Sequence, residues 1–135
     1  MLLEKLVVWI TAAFFLGYGI LFVFIPQAMS ESVVSATIQS SSALIDTRAT
    51  YGGMSIAMGV MMILLTSSAE TMRLAVLSVV ISMSAMAASR TLGILIDGDP
   101  NALMLGYLVA EIFAAVLAAV LLRRMTTNAP TSGEK

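Results

Sequence analysis

Six polar residues in this chain stand where polar residues are costly. The stretch SRTLGILIDGDP, residues 89–100, places Arg90 inside an otherwise apolar run. Glu111 lies in a second such run, YLVAEIFAAVLAAVLLRR (107–124), with Tyr107 one helical turn before it. Arg48 and Tyr51 open a third run, and Tyr18 sits within FFLGYGILF. A lone charge at the centre of a membrane helix costs about 2.5–3.5 kcal/mol on insertion scales, so such residues pair with one another or face a cavity. Two kinds of chemistry fit a set of arginine, glutamate and tyrosine. One is a buried ion pair that sets helix register. The other is a pocket that binds a small polar or amphiphilic ligand.

The elements that must position these residues follow from the distribution of charge. The 135 residues are 59% hydrophobic and 11% charged, against about a quarter charged in an ordinary soluble domain. Four stretches nearly free of charge run between Lys5 and Pro26, Arg48 and Glu70, Arg73 and Asp97, and Asn101 and Arg123. Each is about 20 residues long, enough for a helix to cross roughly 30 Å of hydrocarbon. Lipid offers the backbone no water to bond, so each is expected to be helical. The expected fold is therefore all-α: an integral membrane four-helix bundle running up-down-up-down. Its helices are expected over residues 3–25, 47–65, 72–96 and 101–124, with one domain spanning 1–124. Residues 26–46 form an outer loop, rich in serine and carrying either a short interfacial helix or none, and 125–135 form a disordered tail. The first apolar run exceeds the core of a signal peptide, so the first helix is expected to be retained.

Lys5, Arg73, Arg123, Arg124 and Lys135 fall on one side with both termini, while Glu31, Asp46, Asp97 and Asp99 fall on the other with Arg48 at its edge. The positive-inside rule makes the first side cytoplasmic. On that frame Arg90 lies roughly 10 Å and Glu111 roughly 15 Å below the outer surface, at 1.5 Å per residue. Side chains lean toward their own helix N-terminus, so on helices running in opposite directions the two converge. Glu111 is the expected partner of Arg90. Tyr18, Tyr51 and Tyr107 fall near Arg90 in depth, their hydroxyls are expected to bond the carboxylate or the guanidinium, and Arg48 is expected to complete the cluster. Trp9 fits an aromatic belt at the inner interface.

Small residues recur at packing spacing: Gly52, Ser55 and Gly59; Ala75, Ser78, Ser82, Ala85 and Ser89; Ala110, Ala114 and Ala118. Such stripes let membrane helices approach closely, within the bundle or across a dimer. Met54, Met58, Met61 and Met62 gather on one side of the second helix, with Met83 and Met86 on the third. Adaptable packing explains them better than a copper site. The chain has no cysteine and no histidine, which removes thiolate and imidazole metal sites and histidine acid–base catalysis. No nucleotide loop, nucleophile–base pair or paired-carboxylate site is visible, and a net charge of −1 gives no argument for nucleic acid. No cofactor, metal or catalytic residue is assigned.

At RATYGGMSIAMG (48–59), SRTLGILIDGDP (89–100) and the segment 107–124, the chain resembles a small bacterial membrane family catalogued as domain of unknown function 4345. Arg48, Tyr51, Gly52, Gly53, Arg90, Gly93, Asp97, Gly98 and Glu111 occupy the positions that carry the resemblance. It implies a four-helix protein of the bacterial inner membrane and lends no activity. The reading is thus a non-enzymatic, multi-pass membrane protein. Its outer-half pocket of Tyr18, Arg48, Tyr51, Arg90, Tyr107 and Glu111 would bind membrane lipid or a quinone. The alternative is an accessory subunit of a larger membrane complex, or a homo-oligomer. A proton or ion pathway through Glu111 is a minor third reading.

Overall fold

A computed structural model describes residues 1–127. Five helices account for nearly all of them: α1 (Leu2–Phe24), α2 (Pro26–Val34), α3 (Ser41–Leu65), α4 (Ala69–Asp97) and α5 (Ala102–Thr127). All but α2 are long and apolar enough to cross a membrane. No strand occurs among the described residues.

The boundaries have local causes. α1 stops because Pro26 has no N–H for the ladder, and that same proline starts α2 at a position where no donor is needed. α2 ends where Ser35 turns left-handed at φ 56°, and the Ser30 hydroxyl holds the departing chain by donating to the Ala36 carbonyl at 2.8 Å. The Ser40 hydroxyl accepts from the Ala43 N–H at 3.1 Å and starts α3. Ser68 does the same for α4, accepting from the Thr71 N–H at 3.2 Å. Between α4 and α5, Gly98 takes φ +68° and ψ −171°, a conformation open essentially to glycine alone. The Asn101 side chain then caps α5 by accepting from the Met104 N–H at 2.9 Å.

These caps move several expected limits. The second long helix begins at Ser41, six residues before the expected Thr47, because Ser40 is an effective cap and the first turns of a helix need no apolar face. Much of the expected outer loop 26–46 is therefore helix, in α2 and in the start of α3. The third helix spans 69–97 rather than 72–96, and the first spans 2–24 rather than 3–25. The last begins at Ala102, because Asn101 is its cap, and continues through Thr127. Thr126 and Thr127 donate their hydroxyls back to the Leu122 and Arg123 carbonyls, so polar side chains do not end it. The remainder of the expected tail, 128–135, lies outside the described residues.

Packing is organised as two helix pairs. α1 lies against α3 and α4 against α5, with thinner contacts between the pairs. The first pair meets backbone to backbone. A Cβ added at Gly19 would fall 2.7 Å from the Gly52 carbonyl oxygen and 2.8 Å from the Ile56 nitrogen; one at Gly59 would fall 2.8 Å from the Ala12 carbonyl oxygen. Only glycine permits this approach, the device by which membrane helices gain dispersion contact. The small-residue stripe at Gly52 and Gly59 is thus used inside the molecule. The expected stripe on α4 is used only in part: Ala75 is buried, whereas Ala85 and Ser89 are exposed. The face α4 buries runs through Met72, Ala75, Val76, Val79, Met83 and Ala87.

The core formed by these faces is gathered toward one end. It joins Val7, Val8, Ala12 and Phe15 of α1 to Met62 of α3, Met72 to Met83 of α4 and Ala115 to Leu121 of α5. At that end the Trp9 indole N–H donates to the Thr66 hydroxyl at 3.2 Å, tying α1 to the α3–α4 turn. The other end, toward Phe24, Arg48, Asp97 and Asn101, is not filled in this way.

Candidate functional site

Arg90 extends the buried stripe of α4 by one turn beyond Ala87, and Glu111 heads the buried stripe of α5 that continues through Ala115 and Ala118. Helical register alone therefore points both charges inward. They meet. The Arg90 Nε donates to both carboxylate oxygens of Glu111 at 3.2 and 3.0 Å, and Nη2 donates to Oε1 at 2.6 Å. Glu111 is 5% exposed, and the Arg90 side chain 19%. A two-point contact of this kind fixes orientation as well as charge. The guanidinium is held on two further sides. Nη1 donates to the Met104 sulfur at 2.8 Å, and Cζ stands 5.4 Å from the centre of the Tyr107 ring.

Around this pair the space between the two helix pairs is hollow. A cavity of about 520 Å³ is bounded by Arg90, Glu111 and Tyr107 on one side and by Tyr18, Tyr51 and Met58 on the other, with Val33 and Val34 of α2 among its walls. Asn101 holds α2 there, donating from Nδ2 to the Val33 carbonyl at 3.0 Å and to the Ser35 hydroxyl at 3.3 Å. A second pocket shares Val34, Arg90 and Met104 with this cavity and is lined on its other sides by residues that include Gly93, Asp97, Gly98 and Asp99.

The tyrosines enter the site differently from expectation. None of their hydroxyls bonds the carboxylate or the guanidinium; the rings form a ladder instead. Phe14 stacks on Tyr18 at 5.8 Å, Tyr18 meets Phe22 at 4.7 Å, and Phe22 stacks on Tyr51 at 5.3 Å. Phe14 also meets the edge of Tyr107 at 6.0 Å. Arg90 already satisfies both carboxylate oxygens, so the phenols are left facing open space. Phe14 and Phe22 flank Tyr18 at four-residue spacing, which was a legible signal for their sharing its face. Met104, three residues before Tyr107, was legible in the same way.

Arg48 is not part of the cluster. Its Nη1 donates to the Val23 carbonyl, in the last turn of α1, where carbonyls lack intrahelical donors. The side chain is exposed and lines no wall of the cavity. The cause is local geometry. Residues Arg48–Gly53 of α3 adopt π-helical winding, which alters the register that a regular helix would give Arg48 and Tyr51. Gly52 is buried against Val23, and Gly53 is exposed. Met54, Met58, Met86 and Met104 share the cavity, but beside a guanidinium, which repels a cation. Among the described residues no three groups of His, Cys, Asp or Glu stand close enough to hold a metal ion.

The class of molecule is now defined: an all-helical protein with four helices fit to cross a membrane and a charge pair held between two of them. Residues 3–122 match the family described as Domain of unknown function (DUF4345), and the chain belongs to that family. No curated protein and no solved structure matches it. The family description carries no activity, so a functional reading rests on the site.

Proposed function

We propose that this protein is a non-enzymatic, multi-pass protein of the bacterial inner membrane that binds a small amphiphilic ligand, such as a lipid or quinone, beside Arg90. The spans run up-down-up-down with both termini cytoplasmic, a reading supported by Lys5, Arg73, Arg123 and Arg124 at one set of helix ends. The cavity then opens in the outer half of the membrane. One observation carries the functional reading: the cavity of about 520 Å³ around an otherwise satisfied ion pair. A pair that served helix register alone would be packed against, because a void forfeits the dispersion contacts of everything that lines it. Tyr18, Tyr51 and Tyr107 supply ring faces and hydroxyls, Arg90 supplies donors, and Glu111 orients Arg90.

Native mass spectrometry of the detergent-solubilised protein tests this. The expected result is a bound species of lipid size at one copy per chain. Ser55→Phe, which fills the cavity, should deplete that species, and the volume-conserving control Met58→Leu should retain it. A chain carrying no bound mass in any mild detergent would count against the reading. A stoichiometric protein partner or second copy would favour the accessory-subunit reading instead.

A further inference from the structure

The charge balance of the cavity narrows its ligand. We infer that, if the cavity binds an amphiphile as proposed, its occupant is an uncharged ring bearing carbonyl acceptors, quinone-like, with one apolar tail that leaves through the cleft between α1 and α5.

Three observations carry this. The first is electrostatic. Among the described residues, Arg90 is the cation lining the cavity and the pocket that adjoins it at Arg90, Glu111 is the anion of the cavity, and Asp97 and Asp99 are the anions of the adjoining pocket. Arg48, the second cation on which anion binding would rely, is engaged at the Val23 carbonyl instead. Glu111 already neutralises Arg90 at 2.6 Å. A phosphate or carboxylate would therefore pass the exposed carboxylates of Asp97 and Asp99 and find no unpaired cation to receive it at Arg90. A cationic head would meet the guanidinium.

The second observation is a supply of donors. An arginine carries five N–H groups. Here Nε and one N–H of Nη2 serve Glu111, and one N–H of Nη1 serves Met104, so two remain without a partner among the described residues. The hydroxyls of Tyr18, Tyr51 and Tyr107 have no hydrogen-bond partner among these residues either, and none is sealed from open space. Neutral carbonyl oxygens accept such bonds without adding charge, and the stacked rings beside them favour a planar guest.

The third observation is an exit for a tail. Phe14, Met86, Tyr107 and Glu111 wall both the cavity and an adjoining apolar cleft of about 300 Å³, whose far side is formed by Ile10, Ala110 and Leu117. A guest at Arg90 thus has continuous apolar surface leading away from it.

The test uses the full-length protein in maltoside detergent and equilibrium dialysis with three probes of similar tail: decylbenzoquinone, dodecyl phosphate and dodecyltrimethylammonium. The chain contains no cysteine for the quinone to alkylate. Saturable 1:1 binding of the quinone, at least tenfold tighter than either charged probe, is expected. Equal or tighter binding of a charged probe overturns this inference and leaves amphiphile binding standing. Saturable binding of none overturns both. Ala110→Phe, which fills the cleft and leaves the ion pair intact, is expected to weaken the quinone at least fivefold; unchanged affinity would overturn the tail placement.

Discussion

The two ends of this molecule use helices of similar composition to opposite effect. At the Trp9 end, Val8, Ala12, Met62, Val76, Val79 and Ala118 are almost wholly buried, and the four long helices close on one another. At the Arg90 end the α1–α3 pair, still in backbone contact at Gly19 and Gly52, and the α4–α5 pair flank a cavity lined by rings, thioethers and one ion pair. The filled end is built from small and medium side chains that interlock. The hollow end carries Phe14, Tyr18, Phe22, Tyr51 and Tyr107, whose rings form a ladder along the α1–α3 pair and meet the other pair where Phe14 touches Tyr107. In a membrane, where lipid is as apolar as the protein interior, close packing is the main source of helix association. A region that forgoes it must be held by something else. Within the α4–α5 pair that is the Arg90–Glu111 contact, and between the pairs it is the Asn101 clamp on α2 and the contact of Phe14 with Tyr107.

The contrast can be broken in graded steps. Glu111→Ala leaves a guanidinium unpaired between helices and is expected to cost about 3–5 kcal/mol. A thermal melt in detergent, followed by circular dichroism, reads this as the largest loss of stability in the series. Met62→Ala, in the filled end, opens a void in tight packing and should cost about 2–5 kcal/mol. Met58→Ala, four residues earlier and facing the cavity, should change the same melt far less, since its contacts are already incomplete. Equal effects would abolish the distinction between the ends. Gly59→Val drives a branched side chain into the Ala12 backbone and is expected to cost about 1–3 kcal/mol by overpacking. Arg48→Ala removes an exposed bond to the last turn of α1 and should cost about 1 kcal/mol or less, with ligand affinity unchanged within about twofold. A large loss of affinity in that variant would return Arg48 to the site.

How far the site could be read in advance differs residue by residue. Arg90 and Glu111 were legible because charges within apolar runs have few tolerable positions, and because short connections make neighbouring helices adjacent. Tyr107 followed from its spacing to Glu111. Arg48, at the outer edge and one turn before Tyr51, was expected to join the cluster, yet position along a helix does not state direction around it. The π-helical winding at Arg48–Gly53 alters that direction, in a segment where Gly52 packs beneath Val23. The tyrosine hydroxyls were expected to serve the ion pair because buried phenols usually find partners. They do not need to here, since the cavity leaves them open. The serine-rich segment 26–46 concealed α2 because its pattern is too weakly amphipathic to distinguish a short helix from a loop.

Composition and charge spacing by themselves determined four long apolar helices, their approximate limits and the two residues that had to answer one another across a gap. These are properties of single segments and of the cost of charge in lipid, and both act before any packing is chosen. Only the tertiary structure decided that the helices join as two pairs, that one end fills while the other stays hollow, and that Arg48 lies outside. Those outcomes depend on how rings and glycines from distant segments fit together, a matter of shape that no local pattern carries.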